Sequence, residues 1–156
     1  MLTIDVPEGP RLELAHLVSD LNGTLALDGL PLRGVAERLR ELGRRLDVRV
    51  LTADTNNTAA RLAAELGVRL ERLSPGRGDE QKLAYVKRLG ARTCCALGNG
   101  RNDVLMLREA ALGITVIGRE GAAREAIEAA DIVCYEPVGA LELLLNPNRL
   151  VATLRR

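Results

Sequence analysis

Apolar positions fall in short blocks whose spacing switches between two and about 3.6 residues along the chain. Leu2 to Val6 and Leu12 to Val18 predict strands around a Pro7-Glu8-Gly9-Pro10 turn. Gly23 to Leu30 predicts a loop or small hairpin turning at Asp28-Gly29. Leu32, Val35, Ala36, Leu39 and Leu42 share a helical face that Gly43 closes. Val48 to Leu51 predicts a short buried strand, Thr58 to Leu66 a helix, and Val68 to Leu70 a strand. The rhythm then repeats. Helices are expected over Asp79–Leu89, Asn102–Ala111, Ala122–Ala129, Val138–Leu145 and Arg149–Leu154, with strands over Thr93–Leu97, Ile114–Ile117 and Ile132–Tyr135. Acidic residues start the Asp79 helix and Lys87-Arg88 end it, which complements its dipole.

Short, continuously apolar strands alternating with helices imply an α/β fold: a three-layer, Rossmann-like parallel sheet with helices on both faces. No linker, repeat or low-complexity tract interrupts the pattern. One domain is therefore expected over residues 1–156, with 1–11 as a strand-and-turn extension and 146–156 as a helical tail. In such sheets ligands bind beyond the carboxyl ends of strands, near the point where strand order reverses. Polar residues just after strands are the ones that matter.

Composition narrows the chemistry. Two Tyr and no Phe or Trp leave the core to Leu, Val, Ile and Ala, and leave little for base stacking. A net charge of +1 gives no overall field to attract nucleic acid or an anionic membrane. Asp5, Glu8, Gly9 and Pro10 interrupt the apolar start, and no apolar run approaches about 20 residues, so neither a signal peptide nor a membrane span is expected. The three cysteines, Cys94, Cys95 and Cys134, fit no zinc pattern, and Cys94 and Cys95, adjacent in an apolar run, read as buried thiols of a cytoplasmic protein.

Polar clusters follow several strands. Ser19-Asp20-Leu21-Asn22-Gly23-Thr24 follows the first, Thr52-Ala53-Asp54 the second, and Gly98-Asn99-Gly100-Arg101-Asn102-Asp103 the fourth, while Lys82 opens a helix. Each alone has an ordinary reading: a turn, a satisfied hydroxyl, a helix cap, a solvated lysine. In this order they resemble the four signature motifs of the haloacid-dehalogenase-like (HAD) superfamily. Met106-Leu107, Ala110 to Gly113 and Ala129 to Val133 are further similar to the phosphorylation domain of P-type ATPases. The ending Leu144 to Arg155 looks like that of the soluble P-type-ATPase-like group.

The resemblance implies a HAD-like hydrolase, a phosphatase or soluble ATPase-like enzyme, dependent on Mg²⁺. It makes Asp20 the nucleophile that becomes an aspartyl-phosphate, with Thr52 and Lys82 neutralising the phosphoryl group and Asn22 at the usual acid/base position. Leu21, Gly23, Thr24, Ala53 and Asn102 become substrate-binding residues, and Asp20, Asn22, Asn99 and Asp103 metal-binding ones. The types make sense: an anionic carboxylate attacks an anionic phosphate only where cations and donors offset the repulsion. Backbone N–H groups after Asp20 are expected to join those donors.

Two positions depart from the pattern. Asn22 cannot transfer a proton, which costs about 10²–10⁴-fold with alkyl phosphates and favours acyl phosphates or phosphoanhydrides. Asn99 offers an oxygen without charge, so metal binding should weaken. A degraded, phosphate-binding regulatory module is thus the alternative. A receiver domain ranks lower, because Asp20 comes early and receivers have no counterpart of Gly98–Asp103. The intervals between the motifs leave no room for a cap. The open site suits a phosphorylated small molecule or phosphoprotein, or closure by a neighbouring copy in a homo-oligomer. Arg77 and Arg101 read as solvated surface arginines, His16 as structural and Tyr85 as packing.

Overall fold

The structure, a computed structural model, describes residues 1–54 and 57–156. It opens with a hairpin: β1 (Leu2–Asp5) pairs antiparallel with β2 (Arg11–Leu14), Leu2 opposite Leu14 and Ile4 opposite Leu12. The strand expected over Leu12–Val18 is in fact two. β2 ends at Leu14, and β3 (His16–Asp20) starts in a different sheet. The break follows from burial. Arg11–Leu14 alternates exposed and buried, as suits a hairpin laid on a core, whereas Leu17, Val18 and Ser19 are buried in succession.

After β3, a hairpin of β4 (Ala26–Leu27) and β5 (Leu30–Pro31) turns at Asp28 and Gly29, both with positive φ. α1 (Val35–Leu42) starts three residues later than the apolar spacing suggests. β6 (Asp47–Thr52), α2 (Asn57–Leu66) and β7 (Arg69–Arg72) follow. α3 (Gly78–Leu89), β8 (Cys94–Gly98), α4 (Val104–Glu109), β9 (Leu112–Val116), α5 (Arg124–Ala129) and β10 (Ile132–Cys134) build the second half. α6 (Pro137–Leu145) and α7 (Pro147–Leu154) close the chain, each with proline in its first turn, where the missing N–H costs nothing. The helix expected from Asn102 begins instead as a 3-10 turn over Arg101–Asp103.

The main sheet is parallel, in the order β10-β9-β8-β3-β6-β7. Alternate strand residues serve its two faces. Leu17, Val50, Cys95 and Leu97 pack with α1, α2, α6, α7 and the first hairpin. Val18, Leu51, Cys94 and Ala96 pack with α3, α4 and α5. This is the expected three-layer architecture. Burial pushes the Cys94 thiol up to about 11 and raises Cys95 as well, so both stay protonated and inert.

β3 is central, with β6 on one side and β8 on the other. The chain moves outward from β3 to β6 and β7, then crosses back to β8. The order therefore reverses between β3 and β8, where Asp20 and Gly98 end their strands. Between β3 and β6 lie only the β4–β5 hairpin and α1, and between β6 and α3 only α2 and β7. The described residues hold no inserted cap, and none of their helices is long and apolar enough to cross a membrane.

Candidate active site

Three charged side chains meet at the reversal point. The Lys82 ammonium donates to Asp20 Oδ1 at 2.6 Å and to Asp103 Oδ1 at 2.7 Å. Lys82 and Asp103 are fully buried, and the Asp20 side chain is 13% exposed, so its carboxylate is the member that meets solvent. Each arrives differently: Asp20 from the end of β3, Lys82 from the first turns of α3, Asp103 from the turn that leads into α4.

Glycine makes the approach of Asp103 feasible. A Cβ on Gly98 would overlap the Asp103 carboxyl group. With hydrogen there instead, Asp103 Oδ2 accepts the N–H groups of Asn99 at 2.9 Å and Gly100 at 2.8 Å. One oxygen thus anchors Asp103 to its loop while the other faces Lys82. Thr115 of β9 steadies the same corner, its hydroxyl donating to the Gly98 carbonyl at 3.0 Å.

Burial sets the electrostatics. Desolvation raises Asp20 from 3.8 to about 6, and the Asp103 charge adds to the rise. Lys82 and the Leu21 N–H oppose it without cancelling it. For Lys82, burial pulls the pKa down, but Asp20 and Asp103 outweigh it and hold the ammonium above its usual range. Two carboxylates around one ammonium leave a net negative site with one oxygen-rich opening.

The remaining predicted residues divide. Thr52 lies one position beyond Leu51, the register partner of Asp20. It is buried, and its hydroxyl oxygen accepts the Asp54 N–H at 3.1 Å, which leaves the hydroxyl proton to donate elsewhere. Thr24 is also buried, but its hydroxyl donates to Asn99 Oδ1 at 3.1 Å, so it positions Asn99. Asn99 Nδ2 in turn donates to the Gly121 carbonyl at 3.1 Å. Asn22, Ala53 and Asn102 are exposed, each beyond the carboxyl end of a strand of the main sheet. Asn102 Oδ1 folds back over Gly100, close to where a Cβ would stand.

Of the backbone N–H groups expected to meet a phosphoryl group, two are engaged within the loop: Gly23 donates to the Ala26 carbonyl at 2.8 Å and Thr24 to that of Leu21 at 3.3 Å. The Leu21 N–H serves Asp20 itself. Gly23 and Thr24 are engaged because the loop closes into the β4–β5 hairpin. Arg77 and Arg101 pair with Asp79, Glu80 and Glu125, and His16 stands 3.6 Å from Asp47, well away from Asp20 along β3.

A residue the sequence did not flag also reaches the site. A Glu120 carboxylate oxygen covers Gly23, occupying the space a Cβ there would need. Its only sequence signal is its position between Gly118 and Gly121, in the loop after β9.

This fold is that of the HAD superfamily hydrolases, solved examples of which superpose on nearly the whole chain. The 3-deoxy-D-manno-octulosonate 8-phosphate phosphatase of Moraxella catarrhalis, solved with magnesium, phosphate and the KDO molecule, matches with a TM-score of 0.70. That match has 18% identity and covers 91% of this chain and 94% of the enzyme. No family model matches the sequence. Over 60 residues, 38% of this chain, it is 57% identical to the uncharacterized protein MJ0073 of Methanocaldococcus jannaschii. Over 139 residues, 85% of this chain, it is 35% identical to the potassium-transporting ATPase ATP-binding subunit of Rhizobium meliloti. The chain spans 64% of the first relative's length and 20% of the second's.

Proposed function

We propose that the protein is a Mg²⁺-dependent phosphohydrolase that works through an aspartyl-phosphate on Asp20. The observation that carries the reading is the convergence of Asp20, Lys82 and Asp103 at the point where the strand order reverses. The similarity to an ATP-binding subunit and the fold shared with a magnesium-bound phosphatase support it.

The donor set fits a hard divalent ion. It is all oxygen: the Asp20 carboxylate stands at the opening and the buried Asp103 carboxylate shares its Lys82 partner, and Mg²⁺ is held by one or two carboxylates with waters and phosphate completing the shell. Asp20 and Asp103 would hold it. When bound, the ion supplies charge that draws a phosphoryl group toward an anionic nucleophile.

The protein's own groups do the rest. An Asp20 oxygen attacks phosphorus, and the bond to the leaving group breaks with its electron pair leaving on that group. Lys82 offsets charge on the phosphoryl oxygens, and the Thr52 hydroxyl donates to one of them. Water then attacks phosphorus, releasing phosphate and the Asp20 carboxylate. Asn22 can orient the leaving group or the water through its amide but cannot exchange a proton with either. Leaving groups that depart unprotonated, as from acyl phosphates and phosphoanhydrides, are therefore favoured.

A screen of phosphorylated compounds with and without Mg²⁺ tests the reading. Acetyl phosphate is expected to turn over, Asp20→Asn to abolish turnover, and Asn22→Asp to raise alkyl phosphate hydrolysis by about 10²-fold or more. Activity that survives Asp20→Asn would remove the nucleophile from the scheme.

A further inference from the structure

A cavity of about 410 Å³ opens at the same end of the sheet, beside the site but outside it. It is built from the segments after β5, β9 and β10, at the carboxyl edge where parallel sheets bind ligands. Gly118 joins it to the nucleophile loop: a Cβ on Gly118 would lie 3.4 Å from the Gly23 carbonyl oxygen. The Gly118 N–H also donates to the Tyr135 carbonyl at 2.9 Å, fixing the cavity wall to β10. A larger cavity of about 640 Å³ near Arg40, Arg44 and Arg69 lies at the amino ends of β6 and β7, on the opposite edge.

The walls of the smaller cavity combine two chemistries. Leu32 and Pro137 give it an apolar side, and Tyr135 stands at it with 86% of its surface exposed. Tyr85, the other tyrosine, is buried. Arg33 and Arg119 supply two positive charges against the single negative charge of Glu136. Arg33 and Arg119 make no ion pair or side-chain hydrogen bond among the described residues, whereas Arg38, Arg49 and Arg77 are held by carboxylates.

Resting on the phosphohydrolase reading, we infer that this cavity receives the leaving group of the substrate, and that this group joins an apolar or planar body to a second negative charge. The body lies along Leu32, Pro137 and Tyr135, and the charge meets Arg33 and Arg119. Substrate choice is then made beyond Asp20, on the far side of the Gly23–Gly118 contact.

Two stable phosphonates separate the inference from the reading beneath it. The full-length protein with Mg²⁺ is titrated with methylphosphonate, which fills only a phosphoryl site, and with 4-carboxybenzylphosphonate, which adds a ring and a carboxylate. Binding is read by ³¹P NMR. The second probe is expected to bind about tenfold tighter or better, worth about 1.4 kcal/mol. The Arg33→Ala/Arg119→Ala double variant and Tyr135→Ala should each erase most of that preference and leave methylphosphonate unchanged. Equal affinity of the wild type for both probes, or a preference that survives both variants, overturns the inference while the phosphoryl site stands. Binding of neither probe overturns both.

Discussion

The sheet carries two charge clusters, and they behave differently. At the carboxyl end Lys82 sits wholly buried between Asp20 and Asp103. In the amino half, Arg49 bridges Asp47 at 2.8 Å and Glu71 at 3.1 Å, with Arg69 and His16 also near Asp47. Both clusters set two carboxylates around a central cation. The difference is water: Arg49 is 19% exposed and its acidic partners 32% and 38%, whereas only Asp20 of the other cluster meets solvent. Solvent screens the Arg49 cluster and holds its energy near zero. In the Lys82 cluster the buried ammonium is what two closely placed carboxylates depend on. The first arrangement suits a sheet surface, and the second keeps reactive groups poised.

Removing the cations tests this contrast most severely. Lys82→Met leaves two buried carboxylates facing each other and should cost about 3–5 kcal/mol by urea unfolding at neutral pH in EDTA. Asp20→Asn should act the other way. A pKa raised to about 6 means that the folded state holds this proton more tightly than the unfolded chain. The resulting stabilisation is complete below about pH 4 and is lost as pH rises through about 6. The amide escapes that loss, so the variant should exceed the wild type by about 3 kcal/mol at pH 7.5, the gap closing toward pH 4. A gap independent of pH would mean that Asp20 is not the strained member.

Gly98→Ala forces the Asp103 carboxyl aside and should cost about 1–3 kcal/mol in the same assay, with turnover lost as well. The smallest effect belongs to the other cluster. Arg49→Met should cost about 0–1 kcal/mol, a difference that shrinks as salt is raised. A cost for Arg49→Met close to that of Lys82→Met would erase the distinction between the clusters.

Much of the fold was legible because period and punctuation agree. The Asp28-Gly29 turn needs positive φ at two positions, and the chain offers the residue types that tolerate it. Asp20, Lys82 and Asp103 could be singled out because their order along the chain resembles a known set of motifs, and the structure brings the three together. Contacts were harder to read. That Thr24 would hold Asn99, or that the Gly23 N–H would close a hairpin, depends on where the β4–β5 turn lies in space. The split between β2 and β3 was visible as a change from alternating to continuous burial, yet the apolar run from Leu12 to Val18 masked it. Glu120 could not be found from sequence, since its importance is a matter of what lies across from it.

Asn99 and Thr24 are hydrogen-bonded across 75 positions of chain, and Asp20 and Lys82 across 62. His16 begins β3 beside Asp47 on one flank but beside Cys94 on the other. The innermost strand therefore waits for a partner from the far half before it is enclosed, and such distant pairings form slowly. A fragment cut near Gly90 would keep the Asp20–Lys82 pair but lose Asp103 and the strand that flanks β3 on its second side, so ligand affinity in a refolding experiment is expected to appear only as that gap in the sheet closes.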